Sequence, residues 1–251
     1  MKFIGIIPAR YASSRFPGKP LADMKGKPMI QRVYEQVSLV LDNVCVATDH
    51  PDIENAVKAF GGRVVRSLKE HPSGTDRCCE AYHLLGGNED VVINIQGDEP
   101  FIKPEQIRAI ISCFDNPDTE IATLVRVFDP AEGWEALSNP NSPKVILNNQ
   151  SEAIAFSRSV IPYLRNVDKE EWLARHTYYK HIGMYAFKAA TLDAITRLPQ
   201  SSLEVAESLE QMRWIENGFR IKVAVTTQET IGIDTPDDMA RAIAMLPRDG
   251  R

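Results

Sequence analysis

The sequence lacks the features that mark membrane, secreted and nucleic-acid-binding proteins. Its 251 residues include four cysteines (Cys45, Cys78, Cys79 and Cys113) with no C-x-x-C spacing, which argues against a disulfide framework and predicts reduced thiols. No apolar run approaches the roughly 20 residues that span a bilayer, and no charged-then-apolar leader precedes the first predicted strand. The net charge of −5 argues against a surface for nucleic acid or anionic membranes. We therefore expect a cytoplasmic protein that binds neither nucleic acid nor a membrane.

Strand-like and helix-like patterns alternate in the first half of the chain. Short apolar runs at 2–7, 44–48, 63–66 and 90–95 predict buried strands, and apolar residues at helical spacing occupy the segments between and after them. Such alternation predicts an α/β fold with a mostly parallel, doubly wound sheet. Later segments predict strands at 179–187 and 221–226, and helices near 188–198, 204–217 and 236–246.

The alternation breaks near Pro130. Residues 130 to 180 contain an Asn/Pro-rich stretch at 138–143, two short apolar runs and a polar helix around 168–175. We expect a single domain over 1–251, in which about 130–185 elaborate the main sheet as a small lobe used for dimerisation.

A loop with three cations follows the first strand. Arg10, Arg15 and Lys19 lie within ten residues, interleaved with Ser13, Ser14 and Gly18. In an open parallel sheet, ligands bind beyond the carboxyl ends of the strands. The chain has neither a Walker A motif nor a G-x-G-x-x-G fingerprint. We predict that this loop binds an anion, because its backbone N–H groups and hydroxyls can surround phosphate oxygens while its cations neutralise them. The alternative is a solvated surface loop.

The loop is the first of seven segments that together resemble one family, the 3-deoxy-manno-octulosonate (Kdo) cytidylyltransferases. In chain order they are IIPARYASSRFPGKPL (6–21), SGTDR (73–77), NIQGDEPF (94–101), SRSVIP (157–162), HIGMYAF (181–187), LEQMRWIENG (209–218) and ETIGIDTPDD (229–238). The resemblance implies a nucleotide-diphospho-sugar transferase-like fold and a homodimer. It also implies transfer of CMP from CTP to the anomeric hydroxyl of Kdo, which releases pyrophosphate and serves lipopolysaccharide biosynthesis. A cytidylyltransferase for sialic acid or a related keto sugar acid, and a catalytically silent nucleotide-sugar-binding protein, are the alternatives.

Two aspartates are the predicted Mg²⁺ ligands. Asp98 follows a strand end, where a carboxylate suits Mg²⁺, because this ion prefers hard oxygen ligands and takes few of them from protein. The resemblance implies that Asp234 is the second ligand. Asp98 is also a good turn residue, and Asp234, which precedes Thr-Pro, is a good helix N-cap or turn residue.

The resemblance also distributes roles over the remaining polar residues. The residues implied for nucleotide binding are Ala9, Arg10, Ser13, Lys19, Ser73, Gly74, Arg77 and Gln96. The residues implied for catalysis are Arg10, Arg15, Lys19 and Asp98. The residues implied to hold the sugar acid are Arg158, His181, Tyr185, Glu210 and Gln211. Three alternatives stay open: Ser73 or Thr75 as a helix cap, Asp49 as a cap or a residue near the nucleotide, and His181 as a structural histidine.

Overall fold

The structure is a computed structural model that describes residues 1–13, 15–229 and 232–246. Ser14 of the basic loop and residues 230–231 of the seventh segment lie outside the described residues. The strands found in the described ranges are β1 (Phe3–Ala9), β2 (Val44–Thr48), β3 (Val64–Arg66), β4 (Val91–Asn94), β5 (Ile121–Val127), β6 (Lys144–Leu147), β7 (Ala153–Ser157), β8 (Tyr179–Lys188) and β9 (Ile221–Thr226). The α-helices found there are α1 (Met29–Ser38), α2 (Pro51–Ala59), α3 (Gly74–Leu84), α4 (Pro104–Ser112), α5 (Gly133–Ser138), α6 (Trp172–Arg175), α7 (Ala189–Ile195), α8 (Ser202–Glu207), α9 (Gln211–Glu216) and α10 (Pro236–Met245). None of these helices is long and apolar enough to cross a bilayer.

The chain divides into two compact units, Met1–Ile107 with Thr230–Arg251, and Arg108–Glu229. In the first unit the strands lie in the order β3-β2-β1-β4, and all three neighbouring pairs are parallel. The strand order reverses direction at β1, the arrangement that opens a crevice at the carboxyl edge of a doubly wound sheet. The α/β fold with mostly parallel strands is confirmed.

The carboxyl ends of β1 and β4 bring two polar loops together. Ile6 of β1 is in register with Asn94, the last residue of β4, so that the chain after each strand leaves the sheet at the same edge. The loop after β4 passes so close to β1 that a Cβ on Gly97 would meet the backbone oxygen of Pro8 at 2.8 Å. Glycine is therefore required at position 97, and the neighbouring Asp98 is held against the loop that follows β1.

The second unit mixes strand directions. Strand β5 pairs antiparallel with β8 and parallel with β9, and β6 forms an antiparallel hairpin with β7 and also pairs with β8. The hairpin lies within the predicted elaboration at 130–185. Its use in dimerisation, and the single domain over 1–251, stay predictions.

Two predictions about this unit are corrected. The pattern at 204–217 predicted one helix, but the structure has α8 and α9, because Ser208 adopts a left-handed conformation (φ 50°) that ends α8. The pattern at 168–175 predicted a single helix, and the structure instead has a 3₁₀ turn at Lys169–Glu171 followed by the short α6.

Candidate active site

A cleft of about 280 Å³ lies in the first unit, at the loops that follow the strands. All the residues that the sequence predicted for nucleotide, metal and catalysis line it. They are Ala9, Arg10, Ser13, Arg15, Lys19, Ser73, Gly74, Arg77, Gln96, Asp98 and Asp234. Four of these side chains are cationic and two are carboxylates, so the cleft suits an anionic ligand that carries a cation with it.

Lys19 is the buried cation of this cleft. Gly18 has a φ of 68°, a left-handed conformation that suits glycine, and it begins the 3₁₀ turn that carries Lys19. The Lys19 ammonium donates to Asp98 Oδ2 at 2.7 Å, to the backbone oxygen of Ile233 at 2.5 Å and to Asp234 Oδ1 at 3.4 Å. An ammonium has three N–H donors, so these three contacts use all of them.

The two aspartates meet at that ammonium although 136 positions separate them in the sequence. The backbone N–H of Ile233 donates to the backbone oxygen of Asp98 at 3.0 Å, which fixes the second loop beside the first. Asp234 is not a helix cap, because the side chain of Thr235 caps α10 by accepting from the N–H of Asp238. The N-cap interpretation of Asp234 is therefore wrong. Asp98 does lie in a turn, which leaves its carboxylate available to the cleft.

The arrangement fits a divalent cation. The carboxylates of Asp98 and Asp234 already converge on one positive charge, the ammonium of Lys19. Carboxylate oxygens are the hard ligands that Mg²⁺ takes from proteins, usually one or two of them. The guanidinium of Arg15 lies 3.2 Å from Asp234 Oδ2 at the open side of the cleft, with its side chain 65% exposed.

Arg77 is held by a carboxylate. Its guanidinium, almost fully buried, donates to Asp49 Oδ2 at 2.6 Å and to Ser67 Oγ at 3.0 Å. Asp49 is not the cap of α2, since the side chain of His50 accepts from the first turn of that helix. Asp49 instead orients Arg77 at the edge of the cleft.

Ser73 caps the helix that enters the cleft. Its hydroxyl oxygen accepts from the N–H of Asp76 at 3.1 Å and the hydroxyl donates to Asp76 Oδ2 at 2.6 Å. The cap interpretation of Ser73 is thus confirmed, and Thr75 is not the cap. The helix N-terminus at Gly74 lines the cleft, where the positive end of the helix dipole favours an anion.

One titratable residue among those that line the cleft was not predicted from the sequence. His71 lines the cleft, its side chain is 4% exposed, and its Nε2 lies 2.8 Å from Glu80 Oε2 on α3. The signal was its place two residues before the SGTDR segment. The sequence alone does not predict a role for a histidine in a polar loop, because its carboxylate partner is identified only in the folded chain.

Two of the residues predicted to hold the sugar acid are adjacent on β8. The rings of His181 and Tyr185 lie 5.2 Å apart between centroids, much closer than the roughly 13 Å between residues four apart on a regular strand, because the register between β5 and β8 shifts between them. Burial lowers the pKa of His181 to about 3, so its imidazole is neutral at physiological pH. Burial, and then the negative charge of Glu210, raise the pKa of Tyr185 well above its ordinary value. Thr123 of β5, which the sequence did not single out, contacts His181 Nε2 at 2.9 Å through its hydroxyl.

The other three predicted sugar-acid residues lie near the break between α8 and α9. Arg158 donates to the backbone oxygens of Glu207 at 2.6 Å, Pro140 at 2.9 Å and Ser208 at 3.2 Å. Three of the five N–H groups of the guanidinium therefore donate to backbone oxygens, and two remain available to a ligand. The role of Arg158 as the partner of a sugar carboxylate stays a prediction.

Glu210 and Gln211 begin α9. Glu210 accepts from Arg213 at 3.2 Å. Gln211 is buried, and its Nε2 has no hydrogen-bond partner among the described residues; the same holds for the hydroxyl of Tyr185. Buried polar groups without partners are rare in proteins and cost free energy, so these two favour a polar ligand.

Known proteins similar to this chain are nucleotidyltransferases. The profile of the cytidylyltransferase family matches residues 4–224. The 3-deoxy-manno-octulosonate cytidylyltransferase of Parabacteroides distasonis is 66% identical over 247 residues, which cover 98% of each chain. A solved structure of a CMP:2-keto-3-deoxy-manno-octonic acid synthetase complexed with CTP is 41% identical, covers 98% of each chain and superposes with a TM-score of 0.89. A putative glucose-1-phosphate thymidylyltransferase from Bacillus anthracis shares only the fold, at 18% identity, with a TM-score of 0.66 and coverage of 99% of this chain and 96% of its own.

This chain belongs to the cytidylyltransferase family, whose members are enzymes that transfer a cytidylyl group. The resemblance of its seven segments to the Kdo cytidylyltransferases is confirmed.

Proposed function

We propose that this protein transfers CMP from CTP to the anomeric hydroxyl of Kdo and releases pyrophosphate. The names of its close relatives support the substrates, and one relative's structure was solved with CTP. The observation that carries the proposal is the cleft in which Arg10, Arg15 and Lys19 face Asp98 and Asp234.

The cleft supplies what such a transfer needs from the protein. A hydroxyl oxygen forms a bond to the α-phosphorus, the bond to the pyrophosphate oxygen breaks, and the hydroxyl proton is released. Positioning and neutralisation of charge carry reactions of this type. Arg10 and Arg15 are exposed at the cleft and available to phosphate oxygens. Lys19 must exchange one of its three present contacts for a phosphate oxygen, and its longest contact, to Asp234, is the first to be given up.

Asp98 and Asp234 are the residues that would hold Mg²⁺. When bound, the ion would neutralise phosphate charge and lower the pKa of the attacking hydroxyl. The side chain of Asp98 is 33% exposed, so it is open to a ligand from the cleft.

The second unit offers groups that suit a polyhydroxylated sugar acid. The hydroxyl of Tyr185 and Nε2 of Gln211 are buried without partners in the described ranges. Arg158 retains two N–H donors for the carboxylate, and Glu210 adds an acceptor. We propose that these residues, with His181, bind Kdo.

The test is pyrophosphate release with purified protein, varying CTP, UTP, ATP and GTP against Kdo and sialic acid, with and without Mg²⁺. Release only with CTP, Kdo and Mg²⁺ supports the proposal. Equal rates with sialic acid would overturn the sugar assignment, and no release with any pair would favour a silent nucleotide-sugar-binding protein. Asp98→Asn should lose most of the turnover, whereas the control Asp42→Asn, on an exposed loop, should not.

We further propose a homodimer that acts in the cytoplasm in lipopolysaccharide biosynthesis. Large apolar side chains are exposed within 130–185, with Ile154 53% and Tyr163 74% accessible. The buried thiols of Cys45 and Cys113, which form no disulfide, and the nucleotide substrate favour the cytoplasm. Analytical ultracentrifugation tests the dimer: Ile154→Lys with Tyr163→Lys should yield a monomer, and an unchanged mass would refute this interface.

A further inference from the structure

The hydroxyl of Thr123 makes two short contacts at the predicted sugar-acid site. Thr123 is fully buried on β5. Its Oγ1 lies 2.9 Å from Nε2 of His181 and 2.8 Å from the backbone oxygen of Met184. Both contacts fall where the register between β5 and β8 shifts, between Thr123 and Leu124.

The two contacts determine which nitrogen of His181 carries the proton. A hydroxyl has one hydrogen and two lone pairs, and a backbone carbonyl can only accept. The hydrogen of Thr123 is therefore donated to Met184, since otherwise two acceptor oxygens would face each other at 2.8 Å. The remaining contact then requires that Nε2 of His181 donates to Oγ1.

We propose that Thr123 is a positioning residue that holds His181 as the Nε2–H tautomer, so that Nδ1 accepts a hydrogen bond from a hydroxyl of the sugar acid. This role of Nδ1 rests on the proposed function, whereas the tautomer rests on the contacts of Thr123 alone.

The surroundings of the imidazole keep it in this state. Phe156 packs against the His181 ring edge-on at 5.1 Å, and Tyr185 lies 5.2 Å away at a tilt of 42°. The hydrogen bonds of the described residues use Nε2 of the ring, and none uses Nδ1. The ring is neutral because burial lowers its pKa to about 3. A sugar hydroxyl that donates to Nδ1 can at the same time accept from the Tyr185 hydroxyl or from Nε2 of Gln211, which are the unpartnered donors described above.

The tautomer is measured directly by long-range ¹H–¹⁵N NMR of the imidazole nitrogens in the wild-type protein, with the signals of His181 assigned by their loss in His181→Gln. We expect a protonated Nε2 and an unprotonated Nδ1. A protonated Nδ1 would overturn the proposal without any variant at Thr123.

Thr123→Val removes the hydroxyl, and Thr123→Ser retains it. The matched control is Thr119→Val, since Thr119 is also buried and donates to a backbone oxygen, that of Cys113, at 2.7 Å. In Thr123→Val we expect the ¹⁵N pattern of His181 to move towards a mixture of tautomers, and the KM for Kdo to rise about 5- to 150-fold, the range for an unsatisfied buried group. The KM for CTP should stay within about twofold, a change of only ~0.4 kcal/mol. Thr123→Ser should restore both properties, and Thr119→Val should change neither.

A wild-type ¹⁵N pattern and KM for Kdo in Thr123→Val would refute the positioning role. If the wild-type protein releases no pyrophosphate from CTP and Kdo, the proposed function fails and the sugar role of Nδ1 fails with it. The NMR result then still decides the tautomer, so the two failures are distinguishable.

Discussion

The ion pair between Lys19 and Asp98 should stabilise the fold much more than the pair between Arg15 and Asp234. Both pairs lie in the same cleft, but their exposure differs. The side chains of Lys19 and Asp98 are 11% and 33% exposed, against 65% and 51% for Arg15 and Asp234. Solvent screens the second pair, and its side chains lose entropy when they are held together.

The expected magnitudes follow from this difference. A hydrogen bond to a charged group contributes about 1.5–3 kcal/mol when it is sheltered from solvent. An exposed ion pair contributes about 0.2–1 kcal/mol. Lys19→Met removes the sheltered contact to Asp98 at 2.7 Å together with the contact to the Ile233 carbonyl at 2.5 Å. For a chain of this length we expect Lys19→Met to lower the melting temperature by about 3–12 °C, and Arg15→Met by less than about 4 °C.

The assay is chemical and thermal unfolding followed by circular dichroism, in EDTA and without nucleotide, for two double-mutant cycles. One cycle combines Lys19→Met with Asp98→Asn, and the other combines Arg15→Met with Asp234→Asn. We expect a coupling free energy of about 1.5–3 kcal/mol in the first cycle and below about 1 kcal/mol in the second. Equal coupling in the two cycles would show that burial does not govern these pairs and would refute the reasoning.

Three further predictions concern backbone approach, protonation and the sugar-acid site. Gly97→Ala should lower the unfolding free energy by about 1–3 kcal/mol in urea titrations, because the new Cβ meets the Pro8 backbone oxygen at 2.8 Å; an unchanged midpoint would contradict the close approach. The folded-state pKa of His181 is about 3, below its ordinary 6.5, so its contribution to stability is present above about pH 6.5 and is lost as the pH falls towards 3. Between pH 7 and pH 5 the wild type should therefore lose about 2 kcal/mol more unfolding free energy than His181→Gln. Parallel pH profiles of the unfolding free energy for the two proteins would refute the lowered pKa of His181. Arg158→Ala should lower the melting temperature, because the Arg158 guanidinium donates to three backbone carbonyls. The variant should also raise the KM for Kdo more than that for CTP, because Arg158 is proposed to bind the sugar carboxylate. The control Arg175→Ala, which loses an exposed i,i+4 pair, should stay within about 0.5 kcal/mol of the wild type, and a pure CTP defect in Arg158→Ala would place that residue with the nucleotide.

The strands and helices of the first unit could be predicted from the sequence because each is encoded locally. The second strand was predicted at 44–48, and β2 has these bounds, since five consecutive apolar or small residues are buried there. Prediction was poorer in the second unit. Strand β5 was not predicted, although its IATLVRV sequence is strand-like, and the break at Ser208 divided one predicted helix into two. A left-handed serine has no strong local signal, because tertiary contacts decide whether the strain is accepted.

The residues that make up the candidate site in the first unit could be predicted from the sequence. The basic loop and Asp98 were predicted to lie there because parallel strands bring the loops after them to one edge, and the resemblance implied the SGTDR segment and Asp234; all of them belong to the cleft. Motifs predict which residues belong to a site because such a prediction requires only the residue types and their order along the chain.

The contacts that each of these side chains makes could not be predicted, because they depend on how distant parts of the chain meet in the fold. Asp234 proved to be an ion-pair partner and not a cap, and Lys19 proved to be the cation on which both carboxylates converge. The tautomer of His181 likewise depends on Thr123, which lies 58 positions away on another strand. Hydrogen bonds and ion pairs are set by distances of about 3 Å between groups far apart in the chain, and local sequence patterns carry no information at that range and precision.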